Sequence, residues 1–448
     1  MSELKRPKIL CIQPPVYDFA LYDLFFKPYG LLRIAGWLKQ QGFEVEFLNA
    51  LDYQEPNTLA VRGLPRRRAN GTGKFHRQRA QLPSGIQAIP RHYSRYGILP
   101  EVFAEKVVRA QPDMVLITSQ MTYWYQGLVE AVRVVRQAYP AVPVVVGGIY
   151  ATLMPQHCRT VTGADEVVIG DGLTQLPDLF EKYNLTAAKD PDWNSRVGPN
   201  LFGGRETWGD AGVVRLNVGC PYRCSYCASA IIEPRFLRGE YQQVWEQILY
   251  MHRKFGTVHF AFYDDALLVH KEELLLPLLE LVIRSKLSLR FYTPNAVHMH
   301  FIDLETAKLM RAAGFQEVRI GYESADEQFH RRQDGKYTPD EVPRALKALK
   351  AAGFAAESII LYVLAGLPRQ RASEVEATLR EVEPFAVRVS LAEYSPVPQT
   401  ALWQESVAAA RFPIAEEPLY HNNSFFPMEW DGFTRRQLEA LKRKTLNY

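Results

Sequence analysis

The sequence predicts an α/β protein in two parts, a doubly wound parallel sheet followed by a partial β/α barrel. Short apolar, β-branched runs alternate with amphipathic helical stretches through most of the 448 residues. That alternation belongs to parallel sheets whose helices cover both faces. A polar stretch with prolines and glycines, residues 185–204, separates two rounds of it. The length is consistent, since ~150 residues per domain allows two or three domains.

In chain order, residues 9–13 read as a buried strand closed by Pro14 and Pro15. Residues 31–41 carry helical spacing and stop at Gly42, and residues 43–51 alternate like a strand. A second round has a strand at 114–118, a helix at 127–138, a strand at 142–146 ending in Gly147-Gly148, and a strand at 166–169 ending in Gly170-Asp171-Gly172. This half is of the Rossmann or flavodoxin type, which binds ligands at the C-terminal ends of its strands. Residues 53–96 break the rhythm, with Arg66-Arg67-Arg68 and Gly71-Thr72-Gly73-Lys74. So long a loop is unusual in a compact domain. It reads as a solvated surface insertion, or else as a cap with basic groups near a phosphate. The glycines there lack P-loop spacing and context.

After residues 185–204, strands are expected at 213–218, 258–263, 289–294, 317–322, 358–365 and 387–393. Helices fit at 241–255, 304–313 and 339–352. Six such units predict an open, TIM-like barrel with its functional loops at the strand C-termini. Residues 401–448 are less regular and end in a charged helix from Thr434. The expected domains are thus residues 1–184 with the insertion 53–96, a linker at 185–204, a barrel at 205–400 and a C-terminal extension at 401–448.

Composition narrows the function. Hydrophobic residues at 47% and charged residues at 23% are ordinary for a globular protein and exclude a disordered or fibrous one. Five cysteines, odd in number and unevenly spread, are no disulfide framework. The first residues carry no apolar leader. The longest apolar run, 274–283, is broken by Pro277 and Glu280 and falls far short of the ~20 residues a span needs. A cytoplasmic protein is expected. A net charge of +4 is too small to imply nucleic acid. The basic stretch 66–79 comes with no recognisable RNA-binding module.

The chemistry concentrates at Cys220-Pro-Tyr-Arg-Cys224-Ser-Tyr-Cys227, directly after an expected strand. Clustered thiolates select iron–sulfur clusters, zinc or copper(I). Structural zinc wants a closed four-ligand site, and ferredoxin clusters want four cysteines. Three thiolates with no nearby histidine leave one iron of a 4Fe-4S cluster open. A zinc or electron-transfer site is the alternative.

This loop resembles the signature of the radical S-adenosylmethionine (SAM) superfamily, and the likeness extends over about residues 209–400. The resemblance implies cluster ligation by Cys220, Cys224 and Cys227. It also implies SAM chelation at the open iron and reductive cleavage to a 5′-deoxyadenosyl radical, with a reductant such as flavodoxin or ferredoxin. Other positions fit it at the ends of successive strands: Tyr226 near the adenine, Asp264-Asp265, Asn295, Glu323-Ser324, Gly366 and Pro368, and the turn Ser395 to Thr400.

The first half is similar to the cobalamin-binding domain that precedes many such enzymes. Gln13, Thr118, Ser119, Gly147, Gly148, Gly170 and Gly172 are its matching turns. Glycines there let backbone approach a nucleotide tail. The Asp-x-His-x-x-Gly motif is missing, since residues 16–27 contain no histidine. This implies cobalamin without a histidine below the cobalt, or a fold kept without the cofactor. Cys11 and Cys158 read as buried small hydrophobes. They make no second cluster, which weighs against a methylthiotransferase. The expectation is a cobalamin-dependent methylation of an unactivated carbon in a small molecule. The alternatives are a cobalamin-free rearrangement or ring formation on a small metabolite or lipid precursor, and a non-catalytic electron carrier.

Overall fold

The computed structural model describes residues 6–185, 203, 209–336, 338 and 340–445. They fall into two units, Met1–Asp210 and Ala211–Tyr448. The expected linker lies outside the described residues except for Leu185 and Gly203.

Five parallel strands form the sheet of the first unit. In spatial order they are Glu44–Asn49, Lys8–Gln13, Met114–Ser119, Val144–Gly148 and Glu166–Val167. In chain order this is the 2-1-3-4-5 arrangement of flavodoxin-like sheets, whose switch point lies between the first and third strands. The period-2 alternation of strand side chains decides the layers. Leu10, Ile12, Val115, Ile117 and Val146 pack with residues of the helices Pro100–Ala110 and Tyr125–Ala138. Their neighbours Ile9, Cys11, Met114, Leu116 and Val145 pack on the other face with the helices Tyr29–Gln40 and Gly172–Lys182. Cys11 and Cys158 are fully buried.

The insertion corrects the expectation of an irregular loop. Residues 53–96 contain the helix Pro56–Arg62 and the strands Arg77–Arg79 and Ser94–Tyr96. Ser94–Tyr96 pairs antiparallel with Arg77–Arg79 on one side and with Val16–Asp18 on the other. Arg95 makes a buried bidentate pair with Glu130, at 2.8–3.0 Å. Arg67 pairs with Asp23 at 2.7 Å and lies 3.7 Å over the Tyr53 ring. Its charge is therefore engaged inside the protein rather than offered to a phosphate.

The second unit holds two three-stranded parallel sheets. One has the order Arg290–Tyr292, His259–Phe262, Ala211–Val214; the other has Val318–Glu323, Ile359–Ala365, Arg388–Glu393. Parallel bridges Phe291–Phe315 and Val297–Ile320 carry the pairing from one to the other. The six expected strands thus make one open run. Among the described residues no pairing joins its first strand to its last. The C-terminal helix Arg435–Thr445 is tied to the last strand by Lys442 Nζ and Glu393, 2.7 Å apart.

Candidate active site

The cysteine loop leaves the first barrel strand under tight control. Asn217–Val218 pairs antiparallel with Leu237–Arg238, which pinches the base of the loop. Asp264, at the end of the second barrel strand, accepts from the Leu216 amide at 2.9 Å and the Asn217 amide at 2.6 Å. Burial pushes its carboxyl up to about 7 against those bonds. Its oxygens thus accept from backbone amides. Asp264 positions the strand before the cysteines. Asp265 is half-buried beside it, and its charge reaches the Cys220 thiol.

Gly219 sits at φ +76°, and a Cβ there would lie 2.7 Å from the Arg235 carbonyl oxygen. Only glycine turns the chain into the loop at this point. The loop then closes on itself, with the Cys227 amide donating to the Cys224 carbonyl at 3.1 Å. The Ser229 amide lies 3.4 Å from the Cys227 sulfur. Burial pushes the Cys220 and Cys224 thiols up, Cys224 to about 12, while the Lys336 ammonium draws both back. Cys220 also feels the Cys227 sulfur, and Cys224 feels both Cys227 and Cys220. Cys227 is exposed and Cys220 and Cys224 are partly so. Among the described residues no three His, Cys, Asp or Glu side chains gather closely enough to hold a single metal ion. The donor set is three soft thiolates at one strand end, which fits an iron–sulfur cluster better than zinc.

A network missed at the sequence level binds this loop to the fourth barrel strand. The Tyr226 hydroxyl donates to Asp334 at 3.0 Å, and Lys336 Nζ lies 3.2 Å from that hydroxyl and 3.4 Å from Glu323 Oε1. Burial works against the Lys336 charge, but Glu323, Cys224 and Asp334 outweigh it and raise its pKa. His330 Nδ1 meets Asp334 at 3.0 Å, and its Nε2 donates to the Ser324 carbonyl at 2.7 Å. Glu323 is buried at φ +68°. Tyr226 stacks on Phe329 at 6.2 Å, so part of the ring expected near the adenine is covered by the protein. Ser324 turns its hydroxyl to the Asp326 amide at 3.1 Å. Gly366, at φ +89°, and Leu367 give their amides to Gln370 Oε1, which holds the turn ahead of Pro368. Asn295 donates to the Tyr263 carbonyl at 3.0 Å and is exposed. Nothing in the local sequence marks Asp334, Lys336 or His330, because only the fold returns the helix Glu327–Gln333 to the loop.

In the first unit, Gln13, Thr118 and Ser119 line one cavity at the switch point, together with Trp124 and Tyr150. The Ser119 hydroxyl donates to the Gly147 carbonyl at 2.7 Å and accepts from the Ala151 amide at 3.1 Å. Gly148 is at φ +97°, and a Cβ there would lie 2.3 Å from the Ser119 carbonyl oxygen. Gly147 and Gly148 therefore shape this corner through their contact with Ser119. Gly170 and Gly172 lie outside that cavity. The Gly170 amide donates to Thr152 Oγ1 at 2.9 Å, and Gly172 opens a helix capped by Asp171.

An α/β protein with a three-thiolate loop at one strand end and a ligand corner at a flavodoxin-like switch point defines a class of cofactor-dependent enzymes. Comparison names it: residues 214–382 match the radical SAM superfamily, and residues 91–180 match the B12 binding domain. The chain therefore carries a radical SAM domain with a B12-binding domain ahead of it, and domains of these kinds use a 4Fe-4S cluster with SAM and cobalamin. It is 24% identical over 368 residues to an uncharacterised methyltransferase of Pyrococcus horikoshii, covering 74% of each chain. It is 22% identical to the anaerobic magnesium-protoporphyrin IX monomethyl ester cyclase of Rubrivivax gelatinosus, covering 67% of this chain and 60% of that one. In fold it is similar to the radical SAM methyltransferase TsrM of Kitasatospora setae, a structure with cobalamin and a [4Fe-4S] cluster bound. The TM-score is 0.70 at 16% identity, over 97% of this chain and 91% of that one. No helix among the described residues is long and apolar enough to cross a membrane.

Proposed function

We propose that the chain methylates an unactivated carbon of a small molecule, with Cys220, Cys224 and Cys227 holding the cluster. When bound, the cluster and SAM supply a radical able to abstract hydrogen, and cobalamin supplies a methyl group. The chain's own contribution is placement. Asp264 and Gly219 set the start of the cysteine loop. Lys336, Asp334 and Glu323 fix Tyr226 and so the end of the loop at Cys227. SAM would border on Asp265, Glu323, Ser324 and the Gly366-to-Pro368 turn. Gln13, Thr118, Ser119, Gly147 and Gly148 would form the cobalamin corner, with Gly170 and Gly172 on the adjoining turn. A flavodoxin or ferredoxin would deliver the electron.

The observation that carries this reading is the thiolate trio in a barrel that follows a B12-binding domain. The test is anaerobic reconstitution of the full chain. The native protein should take up about four irons, the content of one 4Fe-4S cluster, and release 5′-deoxyadenosine from SAM on reduction. Cys220→Ala/Cys224→Ala/Cys227→Ala should do neither. Iron retained by the triple variant, or a loaded and reduced native cluster that yields no 5′-deoxyadenosine, would defeat it.

A second reading is ring formation, favoured by the likeness to the magnesium-protoporphyrin ester cyclase. Products of a reconstituted reaction separate the two. Methylation adds about 14 mass units, whereas ring closure by dehydrogenation removes about two, the masses being those of one CH₂ and two hydrogens.

A further inference from the structure

The insertion of the first unit carries charge that its own pairing does not consume. Residues 56–100 hold eight arginines and one lysine and no aspartate or glutamate, in a chain whose net charge is only +4. Two of these cations, Arg67 and Arg95, are buried against Asp23 and Glu130. Arg66, Arg68, Lys74, Arg77 and Arg79 are exposed and enter no ion pair among the described residues. Local pairing explains their direction. Arg67 is turned inward, so its neighbours Arg66 and Arg68 face outward by strand alternation. The Lys74 amide donates to the Arg66 carbonyl at 2.9 Å, which sets Lys74 beside them. Arg77 and Arg79 lie on an edge strand of the small sheet. Arg62 ties that strand to the helix Pro56–Arg62 by donating to Gln78 at 2.7 Å. At the end of this helix stand Val61 and Leu64, at 71% and 67% the most exposed large apolar side chains of the described residues.

We infer that this face of the insertion docks on the surface of an anionic phospholipid bilayer. Guanidinium forks match phosphate oxygens bidentately, and an acidic leaflet attracts clustered cations. Val61 and Leu64 enter the boundary between headgroups and acyl chains, as the apolar side of an interfacial segment does. Charges that only guarded a free sheet edge would leave these two side chains without a use. A single-stranded nucleic acid wants aromatic rings to stack on, but Tyr53, Phe75, Tyr93 and Tyr96 of the insertion are buried. An acidic protein would need a recess for two protruding aliphatic tips, whereas a fluid headgroup layer moulds itself around them. The attachment is peripheral and does not depend on the reaction proposed above.

The test is flotation of the full chain with vesicles of phosphatidylcholine, made with or without phosphatidylglycerol. The native chain should float with the anionic vesicles and not with the neutral ones, and should bind less as salt is raised. Arg66→Glu/Arg68→Glu should weaken partitioning by about tenfold or more. Val61→Ser/Leu64→Ser should weaken it by about as much while leaving the charge untouched. Both variants should keep the native circular dichroism spectrum, since the altered side chains are exposed. If the glutamate pair does not fold, Arg77→Ser/Arg79→Ser carries the same expectation. Equal flotation with neutral vesicles, or none with anionic ones, would overturn the inference. So would a Val61→Ser/Leu64→Ser chain that floats as the native one does. Tighter binding of oligothymidylate or of polyglutamate than of the anionic vesicles would also overturn it, and would assign the face to a nucleic acid or to an acidic protein.

Discussion

Gly219 is the residue on which the cysteine loop turns. A methyl group there would sit 2.7 Å from the Arg235 carbonyl and 3.0 Å from that of Glu233, in a backbone conformation that side chains resist. Both neighbours are backbone, so nothing nearby can swing aside. Gly219→Ala should therefore disturb the strand pairing at the base of the loop and cut iron uptake severely, measured as iron per chain after reconstitution. Gly147→Ala is the contrasting control, because its Cβ would find no atom nearer than 3.7 Å. It should load iron like the native chain. At this scale the sequence showed the candidate ligands but not the residues that hold their loop. Cys220, Cys224 and Cys227 announce themselves by spacing. Lys336, Asp334 and His330 come from distant stretches and carry no local mark. Asp264 is the opposite case: a carboxylate at a strand end stands out in the sequence, but only the fold shows it accepting from two amides.

At the scale of elements, the strand Ser94–Tyr96 shows what the insertion does. It is the central strand of the small antiparallel sheet, and its Arg95 reaches the helix Tyr125–Ala138 through Glu130. Both side chains are buried, at 3% and 7% exposed, and the Tyr17 hydroxyl adds a further bond to Glu130 at 2.8 Å. Removing one partner of such a pair strands the other charge out of water, typically at about 3–5 kcal/mol. Arg95→Met should lower the stability of the first unit by about that much in a denaturant titration, and Arg95→Met/Glu130→Met should recover most of the loss. The sequence could not show this, because three-residue strands are too short for periodicity to register. The longer strands of both units were legible, since they carry buried apolar runs or a period-2 alternation long enough to register.

At the scale of the whole molecule, the order of parts was readable and one prediction follows from it. The B12-binding domain has no histidine in residues 16–27, where a cobalt ligand would be expected. His76, in the insertion, is buried with its Nε2 against the Tyr53 carbonyl at 2.9 Å. His157 shares its Nδ1 with the Tyr150 hydroxyl. The full chain loaded with cobalamin and reduced to cobalt(II) should therefore show no nitrogen superhyperfine splitting from the protein in its paramagnetic resonance spectrum. A splitting that disappears with a histidine substitution would refute this.

The five thiols of the chain also sort by what air can do to them. Cys11 and Cys158 are sealed in the core of the first unit, and burial pushes both up to about 12. Thiols sealed from solvent react slowly with oxidants. Oxygen therefore attacks the chain at the cysteine loop. There the first products are disulfides and sulfenic acids, which reductant reverses. Loss of activity in air and loss of the fold are then two separate events. The first is repaired by reductant, iron and sulfide, and does not require the chain to be refolded.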